Sequence, residues 1–269
     1  DCSNCSSSRT ADKLFTTLGV KVHMLFDEPD GININKACGS THTKKLQEYV
    51  RKNKLSAGLA FDGDADRCLA VDENGNLVDG DFLIAICAND MMKNGKLKKH
   101  TAVGTVMTNM GFSKFCEANG IDFVSTKVGD RYVLESMLQN GYNIGGEQSG
   151  HIIFLDHSTT GDGELSGAML LSIMKRTGEK LSDLAKIMER YPQVLINVKV
   201  SNEGKLSFYT DKEVKAEINR VTEILGDTGR ILVRVSGTEP LVRVMLEGEN
   251  LEQIQTLAEE AAQVVRERL

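Results

Sequence analysis

The stretch Phe61–Cys68 reads FDGDADRC and sets three carboxylates, Asp62, Asp64 and Asp66, at alternate positions behind the apolar run GLAF. Like charges this close repel, so something must hold them together. Short Asp side chains on a tight loop suit a hard cation such as Mg²⁺, Mn²⁺ or Ca²⁺, which takes oxygen ligands. Gly63 and Ala65 leave the backbone room to curl, and the alternate carboxylates can then converge on one ion. The stretch is not an EF-hand, because the longer loop and its closing glutamate are absent. By residue type alone, an acidic surface turn stays open beside the metal site.

A second stretch, RVSGTEPLVR, gathers Arg234, Ser236, Gly237, Thr238 and Arg243. Arginine matches phosphate oxygens as a rigid fork, and successive N–H groups around a glycine turn can cradle an anion. A polar loop joining two strands explains the alternating arginines but not so donor-rich a turn. In KVGDRY, Lys127 and Arg131 flank Gly129 at an expected helix start, a place suited to an anion. In GGEQSGH, Glu147, Ser149 and His151 sit in a glycine-rich turn. A carboxylate beside a hydroxyl can grip vicinal sugar hydroxyls, although His151 could equally be a satisfied strand histidine. The other histidines, His23, His42, His100 and His157, lack mutual ligand spacing, which argues against zinc. A hard-metal site, phosphate sites and a polyol grip together point to phosphoryl transfer on a phosphosugar.

The elements that must carry these groups alternate. A helix is expected over 7–18, a strand over 20–26, a helix over 43–50 and an apolar strand ending at Phe61. The acidic loop would then follow a strand's carboxyl end, where ligands of open α/β sheets bind. CLAVD leads to a turn at Asn74–Gly75 and a short return. Helices over 82–92, 112–118, 130–138 and 163–174 alternate with strands over 101–107, 121–126 and 151–155, as in βαβ units with a largely parallel sheet. Composition changes near Tyr191. VLINVKV, ILVRV and LVRVML read as strands, with one helix opened by a Thr210/Glu213 capping box and a last helix opened by Asn250/Gln253. The whole reads as α/β domains with mixed and parallel sheets, followed by a carboxyl-terminal α+β domain.

The chain has 269 residues and a net charge of −6, room for more than one domain and no basic footprint for nucleic acid or anionic membrane. No run approaches a transmembrane length and there is no signal-type start, so a cytoplasmic location is expected. The six cysteines are scattered and several lie in apolar runs, which predicts free thiols, the Cys2/Cys5 CxxC included. The first residue is Asp1, and the opening reads like the middle of a fold, as in a fragment.

EPDGININ, CGSTH, FDGDADR, TKVGDRYV, GGEQSGH, TTGDG and RVSGTEPLVRVM follow one another in order. With them the chain resembles the α-D-phosphohexomutase superfamily from Asp1 to Leu269. The DGININ and CGSTH stretches, with Gln148 in GEQSGH, bring it nearest to the bacterial phosphoglucosamine mutases. The resemblance implies a four-domain enzyme, of which this chain is part of domain 2 (1–79), domain 3 (80–190) and domain 4 (191–269). It implies that Asp62, Asp64 and Asp66 hold Mg²⁺ beside a phosphoserine, with Arg67 adjacent and Lys127 and Arg131 near the catalytic cleft. Glu147, Ser149 and His151 then match the sugar loop, and Arg234, Ser236, Gly237, Thr238 and Arg243 the loop for the phosphate that is not reacting. The implied reaction interconverts D-glucosamine 6-phosphate and 1-phosphate through a 1,6-bisphosphate. A phosphoglucomutase/phosphomannomutase, or a non-catalytic phosphosugar-binding remnant, is the alternative. The family's serine motif has no counterpart here, so the expected partners are a phosphosugar, the missing amino-terminal part and a second copy in a homodimer. The family commonly has glycine where Cys5 stands, and a cysteine would be strained if that turn needs positive φ.

Overall fold

The computed structural model describes residues 1–237 and 239–269. They form two compact units, one of residues 1–108 and 112–189, the other of 109–111 and 190–269.

The first unit opens with α1 (Ala11–Thr17) and α2 (Lys44–Asn53) around a long turn region. β1 (Ala57–Phe61), β2 (Cys68–Asp72) and β3 (Leu77–Val78) then form an antiparallel meander in that order. The β2–β3 turn is built by Asp72, whose Oδ1 accepts from the N–H groups of Asn74 and Asn76 at 2.9 and 2.8 Å. This sheet is antiparallel throughout, as the expected short return after the turn requires of β2 and β3. A short return at Asn74–Gly75 leaves no length for a crossover helix.

α3 (Gly80–Lys93) follows, capped by Asp79, and its apolar residues are buried on nearly every side. Its surroundings are β4 (Thr101–Thr105), α4 (Met110–Ala118), β5 (Asp122–Thr126), α5 (Asp130–Asn140), β6 (Ile144–Gly146), β7 (Ile152–Phe154), α6 (Gly163–Thr177) and the short α7 (Leu181–Leu184). The sheet order is β5-β4-β6-β7. β4 pairs in parallel with β5 and β6, and β7 closes the edge antiparallel to β6. The main core joins α3, α4, α6 and the sheet through Leu83, Ile84, Phe112, Ile152, Phe154 and Leu170.

In the second unit β8 (Gln193–Lys199), α8 (Asn202–Ser207), α9 (Lys212–Leu225), β9 (Gly229–Val235), β10 (Leu241–Gly248) and α10 (Leu251–Arg268) give an antiparallel sheet ordered β8-β10-β9. α9 and α10 bury Val214, Val221, Ile254, Leu257 and Ala261 with the central strand's Val242, Val244 and Leu246. Leu251, the first residue of α10, is 45% exposed.

Other expectations are corrected. Residues 20–26 are not a β-strand: the segment has no ladder partner among the described residues, although its alternate residues Val20, Val22 and Met24 pack on a satellite core. α9 is capped by Asp211 rather than Thr210. The Asp211 carboxylate accepts from both Glu213 and Val214 N–H at 2.9 Å, a role a hydroxyl one residue earlier cannot reach. Cys5 has φ −146, so it carries no left-handed strain; Ser3 and Asn4 take the positive φ instead. All six cysteines are free thiols. Among the described residues, no helix is long and apolar enough to cross a membrane.

Candidate functional site

β1 delivers the acidic loop and β2 takes the chain away, with Phe61 paired to Cys68 across it. Between them Ala65 adopts φ 61, and its N–H turns back to Asp62 C=O at 3.2 Å. A Cβ on Gly63 would sit 2.7 Å from Ile34 Cδ1, so a larger residue there would push the Ile34 side chain aside. Ser6 holds Gly63 C=O from outside through its N–H at 3.2 Å and its hydroxyl at 2.5 Å. The curl brings one carboxylate oxygen each from Asp62, Asp64 and Asp66 within 4.8 Å of one another, and no other such group of three ligand residues occurs among the described residues.

The cluster's electrostatics fit a cation. Asp62 is buried while Asp64 is exposed, which leaves one open side. Burial, then a hydrogen bond with Asp66, pushes the Asp62 carboxyl up to about 6. Burial alone would raise Asp66 too, but its bonds with Asp62 and His151 and the Arg67 guanidinium outweigh that and hold it low. Arg67 Nε lies 3.5 Å from Asp62 Oδ2 and 3.8 Å from Asp66 Oδ1, too far for good hydrogen bonds. Asp66 Oδ1 is buried with no hydrogen-bond partner. Such an oxygen, in a nest of carboxylates, fits a hard divalent ion, and the donor set is all oxygen.

His151 is where the structure adds most. It is 4% exposed, and both ring nitrogens are used internally. Gly161 N–H donates to Nε2 at 3.1 Å, which leaves Nδ1 carrying the proton toward Asp66 Oδ2 at 2.9 Å. A Cβ on Gly161 would fall 2.5 Å from the imidazole, and one on Gly163 2.4 Å from Arg67 C=O. The TTGDG segment therefore packs directly behind the acidic loop. Gly150, at φ +95, accepts Cys68 N–H at 3.0 Å and joins the GGEQSGH turn to the start of β2. None of these links is visible in residue spacing. The glycines of TTGDG were the one available signal.

Glu147 turns toward the helix start expected to take an anion. Its Oε1 accepts from Gly129 N–H at 2.9 Å, so a protein carboxylate already occupies the amino end of α5. Lys127 and Arg131 are both exposed. Lys127 Nζ lies over the Tyr132 ring at 5.8 Å, and Arg131 pairs with Glu135 one turn along at 2.8 Å. Ser149 is exposed at the tip of the turn. The turn is fixed from below, since Gly80 N–H donates to Gln148 C=O at 3.0 Å and a Cβ there would strike Glu147 C=O.

In the second unit Arg234 and Arg243 stand directly opposite each other on β9 and β10. Like charges in that register repel. Burial, then Arg243, lowers the pKa of Arg234. Arg243 Nη2 pairs with Glu239 at 2.7 Å while its Nε is buried with no partner. Ser236 is buried, its hydroxyl accepting Glu239 N–H at 3.3 Å, and Gly237 is exposed with open space around it. Thr238 lies outside the described residues. Two close guanidiniums and one unpaired N–H make this hairpin end a candidate anion site.

The fold and these loops define a class. Profiles of the phosphoglucomutase/phosphomannomutase family match in order: alpha/beta/alpha domain II over residues 1–75, alpha/beta/alpha domain III over 79–191 and the C-terminal domain over 195–264. The chain belongs to the α-D-phosphohexomutase superfamily. It is 53% identical over 269 residues to the phosphoglucosamine mutase of Clostridium botulinum (strain Kyoto / Type A2), a match covering 100% of this chain and 60% of the relative. The phosphoglucosamine mutase of Acetivibrio thermocellus is also 53% identical, with the same coverage. The chain thus spans about 60% of the length of the curated relatives it matches. A crystal structure of Aspergillus fumigatus N-acetylphosphoglucosamine mutase in complex with GlcNAc-6P and magnesium shares the fold. It aligns with TM-score 0.81 and 22% identity, covering 100% of this chain and 61% of that one. A Burkholderia thailandensis phosphoglucomutase/phosphomannomutase family protein aligns with TM-score 0.81 and 21% identity, covering 99% and 60%.

Proposed function

We propose that this chain is the metal-, sugar- and phosphate-binding part of an enzyme that interconverts D-glucosamine 6-phosphate and D-glucosamine 1-phosphate. The observation that carries the reading is the convergence of Asp62, Asp64 and Asp66 to within 4.8 Å, inside a family whose relatives at 53% identity are phosphoglucosamine mutases. The divisions at 1–79, 80–190 and 191–269 are the matching domain proposal.

Each group has work to do in this reading. Asp62, Asp64 and Asp66 hold Mg²⁺, which when bound polarises a phosphoryl oxygen as a Lewis acid. Arg67 lies at the rim of the cluster, where its charge steadies the phosphoryl group being moved. Glu147 and Ser149 take sugar hydroxyls, and His151 serves that site by holding Asp66 in place. Arg234, Ser236, Gly237, Thr238 and Arg243 clasp the phosphate that is not reacting. Such a clasp must recognise phosphate rather than one sugar face, since the bisphosphate has to bind in both orientations. Lys127 and Arg131 flank the amino end of α5, where Glu147 binds, and add positive charge for the phosphosugar. The phosphoserine that donates and recovers the phosphoryl group lies in the remaining part of the longer enzyme.

The test is turnover of D-glucosamine 6-phosphate by the 269-residue chain alone and after the remaining part is restored. The expected result is no turnover alone and Mg²⁺-dependent turnover on restoration. Robust turnover by the chain alone would refute the missing-nucleophile reading. Equal turnover of glucose phosphates by the restored enzyme would favour the phosphoglucomutase/phosphomannomutase alternative.

A further inference from the structure

In the acidic loop each aspartate follows an uncharged residue, and the carbonyls of those uncharged residues are all taken. Phe61 C=O accepts the Ser3 hydroxyl at 2.5 Å and Ser40 N–H at 2.9 Å. Gly63 C=O accepts the Ser6 hydroxyl at 2.5 Å and Ser6 N–H at 3.2 Å. Ala65 C=O accepts Gly163 N–H at 2.9 Å. Each carbonyl belongs to the planar peptide group that leads into the next aspartate, so holding it sets the direction in which that carboxylate leaves the chain. Within the loop the fastenings are longer: Ala65 N–H to Asp62 C=O and Arg67 N–H to Asp62 Oδ1, both at 3.2 Å.

We propose that Ser3 and Ser6, in the SNCSSS stretch, are positioning residues of the cation site. Their hydroxyls hold the peptide groups ahead of Asp62 and Asp64 in the curl, and the affinity for a hard divalent ion depends on them although each bonds backbone. This inference rests on the cation reading of the loop. Three carboxylates within 4.8 Å of one another repel, and without an ion between them the loop is pushed open. A loop that opens must be curled again when the ion arrives, and that cost comes out of the binding free energy. The serines keep the curl in place beforehand.

The segment that carries the serines is shaped to present them. Ser3 and Asn4 both adopt φ 52, a left-handed conformation uncommon outside glycine. Asn4 N–H to Phe26 C=O at 2.6 Å and Asn35 N–H to Ser3 C=O at 3.0 Å hold that turn. Gly39, at φ 76, makes room for the Ser3 hydroxyl: a Cβ there would fall 2.4 Å from Ser3 Oγ and 2.7 Å from Phe61 C=O. Ser3 is buried, whereas Ser6 is exposed. An exposed hydroxyl exchanges water for protein at little net gain, so removing the one on Ser6 leaves the fold nearly as stable as before. That makes Ser6 the cleaner probe of the loop.

The test is Mn²⁺ binding by the full chain, read by electron paramagnetic resonance with Mg²⁺ as competitor, beside the thermal midpoint without metal. Ser6→Ala is expected to weaken binding of both ions by about three- to tenfold, the usual net worth of one hydrogen bond. Its metal-free midpoint should stay within about 2 °C of the parent. Ser6→Thr, which keeps the hydroxyl, should bind as the parent does. Ser3→Ala, which leaves Phe61 C=O on Ser40 N–H, should also weaken binding. Alanine variants that bind as tightly as the parent overturn the proposal. So does a Ser6→Ala chain whose midpoint falls while its affinity holds, because the serine then only supports the fold. A parent that takes up neither ion refutes the cation reading itself and this inference with it, an outcome distinct from a binding parent with unmoved variants.

Discussion

Asp62, Asp64 and Asp66 are not equivalent. Asp64 is exposed and reaches the cluster from the open side, while Asp62 and Asp66 are tied by Arg67 N–H and His151. Replacing Asp64 by Asn keeps shape and removes one charge, so Mg²⁺ affinity measured by calorimetry should fall by more than about tenfold with little change in thermal midpoint. His151 acts through Asp66. With Gly161 N–H on Nε2, the Nδ1–H bond holds Asp66 Oδ2, while Oδ1 stays buried without a hydrogen bond. His151→Phe should weaken Mg²⁺ by about 10- to 100-fold, the usual cost of losing a ligand's orienting partner. His151→Gln, which keeps a donor for Asp66, should recover part of that loss. A purely structural histidine would lower the melting midpoint of both variants and leave their metal affinity alike.

The elements that position these residues were legible where a local signal sufficed. The helices over 44–53, 80–93 and 163–177 follow apolar spacing, and Asn250 caps α10 by accepting Gln253 N–H at 3.1 Å, as its capping box suggests. Asn250→Ala should cost about 1 kcal/mol in chemical unfolding, because one orphan N–H loses its partner. Asp211 offers a pH signature instead. Its carboxyl is held below the usual range first by Val214 N–H, so its contribution is present above the unfolded value of 3.8 and is lost as pH falls through the lower folded value. Asp211→Asn should therefore match the parent most closely at the acid end of a stability profile. What was illegible depends on distant partners. The alternation of 20–26 predicts a strand, but a ladder needs a neighbour. β6 is a short glycine-ended run, recognisable only by its place between β4 and β7. The acidic loop and the donor-rich hairpin could be read from side-chain chemistry. The His151–Asp66 and Gly129–Glu147 links could not, since they join residues 85 and 18 positions apart.

At the scale of the whole molecule, one buried and heavily partnered carboxylate lies in the second unit. Glu247 is fully buried on β10, and four donors converge on it. Arg230 reaches Oε2 through Nε at 2.8 Å and Nη2 at 2.7 Å, Met110 N–H reaches the same oxygen at 3.0 Å, and Asn109 Nδ2 reaches Oε1 at 3.3 Å. Asn109 in turn accepts Tyr191 N–H at 3.0 Å, so residues 109–111 are stitched into a unit otherwise made of 190–269. Burial raises the Glu247 carboxyl above its usual range despite Arg230 and the other donors. Removing the guanidinium leaves a buried charge with only neutral donors, which costs on the order of 3–5 kcal/mol. A proton can substitute for the guanidinium. Below the unfolded carboxyl value of 4.5, Glu247 is neutral in both states and the missing cation matters least. As pH rises through the folded value, the unfolded chain ionises freely while the folded one must bury the charge, so the penalty grows. Denaturant unfolding of Arg230→Ala and the parent from pH 4 to 8 should thus give curves that converge in acid and separate toward neutrality. Curves that run parallel across that range would mean the Arg230 stem, and not its charge, is what Glu247 needs.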